Sequence, residues 1–153
     1  MQQGGKTANK TGKALEEFIT HNLKETDYTL VEKQNWKTAR YLDQPIYTRQ
    51  LYVCKSIYGT NVYGDFVIFH PEKHPDCLVI EAKWQQVSGS VDEKLPFLVD
   101  NIKLKFPIDA IIIIDGGGQK KGAIEWVEKQ IGGHLLNVFS MSSFQKWVNN
   151  DNL

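Results

Sequence analysis

The stretch Gly64–Gln85, GDFVIFHPEKHPDCLVIEAKWQ, decides the fold. Two apolar runs, rich in β-branched and aromatic residues, flank a segment punctuated by Pro71 and Pro75. That pattern predicts two strands joined by a turn-rich loop. The second run is interrupted by Glu81 and Lys83, two positions apart. Side chains alternate faces along a strand, so these two share a face. If the runs fold into an antiparallel hairpin centred near residue 73 or 74, Asp65 falls opposite Glu81 or Lys83. Directly opposed residues share a face, with Cβ atoms roughly 4.5–5.5 Å apart. Asp65, Glu81 and Lys83 are thus expected to converge. Asp76 also precedes Glu81, after Pro75, but it falls in the predicted turn at the far end of the hairpin.

Two converging carboxylates offer hard oxygen donors to a divalent cation, with Mg²⁺ and its retained waters the expected ion. A lysine beside bound water can orient it and assist its deprotonation. Together these are the parts required for metal-assisted phosphodiester hydrolysis.

Outward from the hairpin, the remaining elements follow from periodicity. Leu15, Phe18, Ile19 and Leu23 have helical spacing from Thr11 onward, and residues 1 to about 10 read as a loose tail. A short strand or turn is expected around Tyr28–Val31, and an irregular stretch over 35–47. A strand over 49–59 precedes the hairpin. After it, Ser90 and Glu93 have capping-box spacing before a helix reaching about Lys105. Pro96 is tolerable if that helix starts near Asp92. DAIIIID, residues 109–115, reads as a fully buried strand. A helix over 123–130, a strand over 135–140 and a closing helix capped by Ser142 or Ser143 complete the chain. A meander followed by alternating strands and helices predicts an α/β domain, with a mixed central sheet flanked by helices on both faces.

The hairpin residues carry a resemblance. Asp65, the strand FVIF, then Glu81-Ala82-Lys83 and the following Gln85 or Gln86 resemble the core motif of the PD-(D/E)XK nuclease superfamily. The helix TGKALEEFI is similar to the Gly-x-x-x-Glu helix that opens many members, and the element order agrees with the restriction-endonuclease-like αβββαβ core. Gly64 stands where the motif has proline. The resemblance implies metal binding by Asp65 and Glu81 and water activation by Lys83, with Mn²⁺ able to replace Mg²⁺. A further acid from the first helix is implied. Glu16 lies at the edge of the buried stripe while Glu17 points toward solvent, so Glu16 is the expected contributor. The expected protein is a Mg²⁺-dependent DNA endonuclease, restriction-type or in related DNA processing such as junction resolution or repair. A non-catalytic nucleic-acid-binding module on the same fold is the alternative. Because cutting both strands needs two sites, a homodimer is expected.

Other features bound the reading. The chain has 153 residues, 41% hydrophobic and 24% charged, with 18 basic and 18 acidic side chains. This fits one globular domain over residues 11–153 with no global field toward nucleic acid or membrane. Basic residues gather in the first third. Gln85 or Gln86 is expected to position a water or a phosphate, and Lys120 and Lys121 to touch backbone phosphates. The segment IIIIDGGGQKKG, residues 111–122, fits no phosphate-loop fingerprint, because Ala123 replaces the required lysine. Cys54 and Cys77 lack metal-ligand spacing and read as free thiols. The four histidines read as structural or surface residues. Trp36, Tyr41, Tyr47, Tyr52 and Tyr58, with Arg40 and Arg49 interleaved, are expected to divide between core packing and stacking or phosphate contacts. The polar start is unlike a signal peptide and no apolar run spans a bilayer, so a cytoplasmic location is expected.

Overall fold

The computed structural model describes the backbone of residues 3–153 and the side chains of residues 12–153. The expected tail over residues 1–10 lies outside the residues described with side chains. Helical backbone begins at Gln3, where α1 (Gln3–Glu25) starts. There follow β1 (Thr29–Leu30), α2 (Trp36–Ala39), β2 (Ile46–Lys55), β3 (Asn61–His70), β4 (His74–Trp84), α3 (Val91–Leu104), β5 (Asp109–Asp115), α4 (Lys121–Lys129), β6 (Leu135–Phe139) and α5 (Met141–Asn149). The stretch expected to be irregular holds α2 between two 3₁₀ turns, Lys33–Asn35 and Arg40–Leu42.

The six strands form one mixed sheet in chain order. β2, β3 and β4 pair antiparallel, whereas β1 pairs parallel with β2, and β5 and β6 continue parallel from β4. The parallel pairs β4–β5 and β5–β6 need crossovers, which α3 and α4 supply. Helices cover both faces. On one, Val67, Val79 and Ile112 pack with Leu95 and Val99 of α3 and Val127 of α4. On the other, Phe66, Ile80 and Ile111 pack with Leu15 and Ile19 of α1 and Phe144 of α5. β5 lies between two strands and under both helical layers, so its run from Ala110 to Ile114 is apolar at every position.

Three local expectations are corrected. His70 pairs with His74, so the hairpin turn is tighter and earlier than expected, and Asp76 lies within β4 instead of the turn. The extra residues are absorbed by a bulge between Ile68 and His70, where Cys77 takes a φ of 71°. Pro75 is tolerated because pairing with β5 begins only at Leu78. The Ser90 side chain caps nothing, so the capping box does not form; α3 starts at Val91 and Pro96 lies beyond its first turn. In α5 the cap is Ser140, whose side chain accepts from the Ser143 amide in a reciprocal box. Ser143 is therefore the third helical residue of that box, and neither it nor Ser142 is the cap.

Candidate active site

The chemistry of β4 depends on where its ladder with β3 ends. The register pairs Phe66 with Ile80, and its continuation sets Asp65 against Glu81. Past that point β3 turns away, which frees the backbone N–H of Ala82. Asp65 Oδ2 accepts that N–H at 2.9 Å. The aspartate thus completes the hydrogen bonding of a strand that has lost its neighbour.

Asp65 is also where β2 and β3 become irregular. Arg49 pairs with Phe66 and Leu51 with Gly64, leaving Gln50 and Asp65 outside the ladder. Gln50 has a φ of 52°. Ile46 and Leu51, five residues apart, pack on the same face, which unbroken alternation forbids. Gly64 belongs to this irregularity. A Cβ there would meet Val79 Cγ1 at 3.0 Å and Val67 Cγ2 at 3.1 Å, so the position in front of the aspartate has little room for a side chain.

Glu81 and Lys83 share the face of Val79, while Ile80, Ala82 and Trp84 pack toward α1 and α5. The Lys83 ammonium lies 3.7 Å from Glu81 Oε2. Glu81 is only 3% exposed. Burial pushes its carboxyl well above the usual range, the Asp65 charge adds to this, and Lys83 opposes it. Without a cation, burial therefore disfavours the charged form of Glu81. A divalent ion would remove that penalty by supplying positive charge where two carboxylates meet. Among the described residues, no group of three His, Cys, Asp or Glu converges. Two carboxylates suit an ion of the Mg²⁺ type, which keeps several waters.

Glu16 does not join the carboxylates. It forms an ion pair of 3.0 Å with Arg49 Nη2. Arg49 lies over the Phe66 ring, 4.3 Å from its centroid, and donates from Nε to the Asp65 carbonyl at 3.3 Å. Glu16 thus reaches Asp65 at one remove. Glu17, exposed as expected, lies 4.0 Å from Lys13. Asp76 lines a separate cleft of about 580 Å³ with Trp36, Arg40 and Cys77.

Gln85 is buried and its hydrogen-bonding groups are occupied. Its N–H donates to Asp115 O at 3.0 Å, and its carbonyl accepts from Gly118 N at 2.7 Å. The side-chain amide donates to Gly118 O at 3.0 Å and accepts from Val91 N at 2.7 Å. The glutamine therefore joins the end of β4 to the glycine loop and to the start of α3. A Cβ at Gly116, where φ is 110°, or at Gly118 would overlap the backbone of Gln85 or Gln86. This explains the glycine run as a cradle for a strand end. Gln86 is exposed on the following loop. Lys120 and Lys121 are exposed at the start of α4; the Lys120 N–H donates to Asp92, and Lys121 lies 3.8 Å from Glu125.

The histidines near the hairpin are structural. His70 Nδ1 accepts from the amides of Glu72 and Lys73, and His74 Nε2 lies 2.8 Å from Asn152 O. Trp36 and Tyr47 are core residues, while Tyr41 and Tyr58 are exposed. Cys54 and Cys77 are free. No described helix is long and apolar enough to cross a membrane. Sequence reasoning missed Gln50 entirely and did not foresee how Arg49 engages Asp65. Both depend on the left-handed backbone at Gln50, which no residue pattern announces.

No curated protein and no solved structure matches the chain. A family model described as a PD-(D/E)XK nuclease superfamily domain matches residues 7–152. With that coverage, and a mixed six-stranded sheet between helical layers, the chain belongs to the PD-(D/E)XK nuclease superfamily.

Proposed function

We propose that the protein is a Mg²⁺-dependent DNA endonuclease, with Mn²⁺ as a substitute ion, acting in restriction-type or related DNA processing. The observation that carries this reading is the meeting of Asp65 and the buried Glu81 where β3 leaves β4, with the Lys83 ammonium 3.7 Å from Glu81. Asp65 and Glu81 would hold the cation. When bound, the cation supplies charge stabilisation at the phosphoryl oxygens and lowers the pKa of water. Lys83, partly exposed and beside Glu81, orients the attacking water and takes part in its deprotonation. Glu16 assists through Arg49, by steadying the backbone of Asp65. Lys120, Lys121 and Gln86 are exposed and suited to phosphate contacts. Gln85 supports the site by holding the end of β4. Cleavage of both strands needs two such sites, which a homodimer supplies. A cytoplasmic setting accords with two free thiols.

The test is a Mg²⁺ cleavage assay on duplex, branched and single-stranded DNA with wild type, Asp65→Ala and Lys83→Ala. Wild type is expected to cut and both variants to fail. A wild type that cuts nothing, or variants that cut as well as wild type, would overturn the assignment. Binding without cutting would instead favour a non-catalytic module.

A further inference from the structure

We propose that Gln50 is a positioning residue for Asp65, its side-chain amide delivered to the carboxylate by a left-handed backbone turn in β2. The inference rests on the proposed metal role of Asp65. Two independent features support it. The first is the backbone. Gln50 has a φ of 52°, in a region that residues with a Cβ adopt at a cost and glycine adopts freely. The turn sits where the ladder skips from Arg49–Phe66 to Leu51–Gly64, so it faces Asp65. The second is what the turn delivers. Gln50 Nε2 donates to Asp65 Oδ1 at 3.2 Å, while Ala82 N donates to Oδ2 at 2.9 Å. The two carboxylate oxygens are thus held from opposite sides, by β2 and by β4.

Arg49, the residue before, holds the Asp65 carbonyl at 3.3 Å and is itself tied to Glu16. Backbone and side chain of Asp65 are therefore held by consecutive residues of one strand. Each carboxylate oxygen has two acceptor sites, so one hydrogen bond apiece leaves capacity for a cation. A glycine at position 50 would relieve the backbone but would remove the amide. Glutamine here accepts an unfavourable φ and places a donor on a proposed metal ligand, as expected of groups that orient ligands.

The test is calorimetric titration with Mn²⁺ of wild type, Gln50→Gly, Gln50→Asn and Asp65→Ala, with melting of each metal-free protein. Gln50→Gly should bind Mn²⁺ about tenfold more weakly than wild type. Its metal-free melting temperature should be equal or higher, because the strained φ is relieved. Gln50→Asn tolerates the same backbone but has a shorter reach, so it too should bind more weakly. In cleavage, raising Mg²⁺ should restore kcat to Gln50→Gly but not to Asp65→Ala. If Asp65→Ala loses Mn²⁺ while Gln50→Gly binds within about twofold of wild type, the positioning role falls and the metal site stands. A metal-free Gln50→Gly that melts well below wild type would also overturn the role, since Gln50 would then serve the fold. A wild type that takes up no Mn²⁺ removes the metal reading and this inference together.

Discussion

The β3–β4 hairpin has an aspartate near each end, and the two are in different circumstances. At the turn end, Asp76 is exposed beside a bulge at Cys77, in a cleft lined by Trp36 and Arg40. At the other end, Asp65 accepts the N–H that β4 can no longer give to a neighbour, and it faces a buried glutamate. Both ends are irregular, and each has a non-glycine residue at positive φ close by. Irregularity alone therefore does not make a site. The difference is that at one end the broken ladder is completed by a carboxylate, with a second carboxylate and an ammonium on the adjoining strand.

That contrast can be broken most directly by substituting the two aspartates. Asp65→Ala should lower Mg²⁺-dependent cleavage by on the order of 10³-fold, since it removes a ligand of the proposed cation. Asp76→Ala should leave the rate within about twofold, as a surface change away from the site. Steady-state cleavage of one DNA substrate compares them, and a larger loss for Asp76→Ala would reverse the assignment.

A second contrast lies along β4 itself, between the residues proposed for chemistry and the residue that anchors the strand end. Gln85→Ala leaves Gly118 O and Val91 N without their side-chain partners. It should lower stability by about 2 kcal/mol, the scale for stranded polar groups. Urea unfolding checks this through a lower midpoint at unchanged slope. Cleavage by the fraction that remains folded should fall much less than in Asp65→Ala.

The third effect is smaller and has a definite sign. Glu81 has its carboxyl raised in the folded protein, first by burial and then by Asp65. For a raised folded value, the stability contribution is complete below the unfolded pKa and is lost as pH rises through the folded one. The metal-free protein should lose stability as pH climbs above the ordinary glutamate range. Glu81→Gln should lack that component, so its melting temperature should gain on wild type as pH increases. Divalent cation should stabilise wild type more at higher pH, because it binds the ionised pair. Melting curves across pH, with and without Mg²⁺, test both parts.

The smallest effect concerns Lys120 and Lys121. If both touch phosphates, replacing them with alanine should weaken DNA binding at low salt and reduce the slope of log K against log salt by about 0.9 per contact. Binding titrations at several salt concentrations measure this. An unchanged slope would place these lysines outside the DNA path.

Much of this was legible in the chain because two periodicities are written directly into residue type. The two-residue alternation of Val79, Glu81 and Lys83 against Ile80, Ala82 and Trp84 assigns faces to β4 from residue type alone. Helical spacing of Leu15, Ile19 and Leu23 did the same for α1, and it separated Glu16 from Glu17. The unbroken apolar run of β5 announced a strand covered on both sides. Other features were not legible, because they depend on which groups a neighbour leaves unpaired. Gln85 reads as a polar residue continuing an active strand, yet its amide closes on Gly118 and Val91, which only the fold brings to it. Ser90 and Glu93 have the spacing of a box, but the α3 entry is met instead by Gln85.

The sequence by itself determined the main strands and helices, the buried faces of α1, β4 and β5, and the convergence of Asp65, Glu81 and Lys83, because these follow from local spacing and one antiparallel pairing. Tertiary structure alone decided that Asp65 binds the freed N–H of Ala82 and that Gln50 and Arg49 hold it. It also decided that Glu16 pairs with Arg49 instead of joining the carboxylates. The left-handed backbone at Gln50 breaks the face alternation of β2 without shifting its register with β3, and the packing that accommodates it, such as the valines around Gly64, comes from residues far apart in the chain.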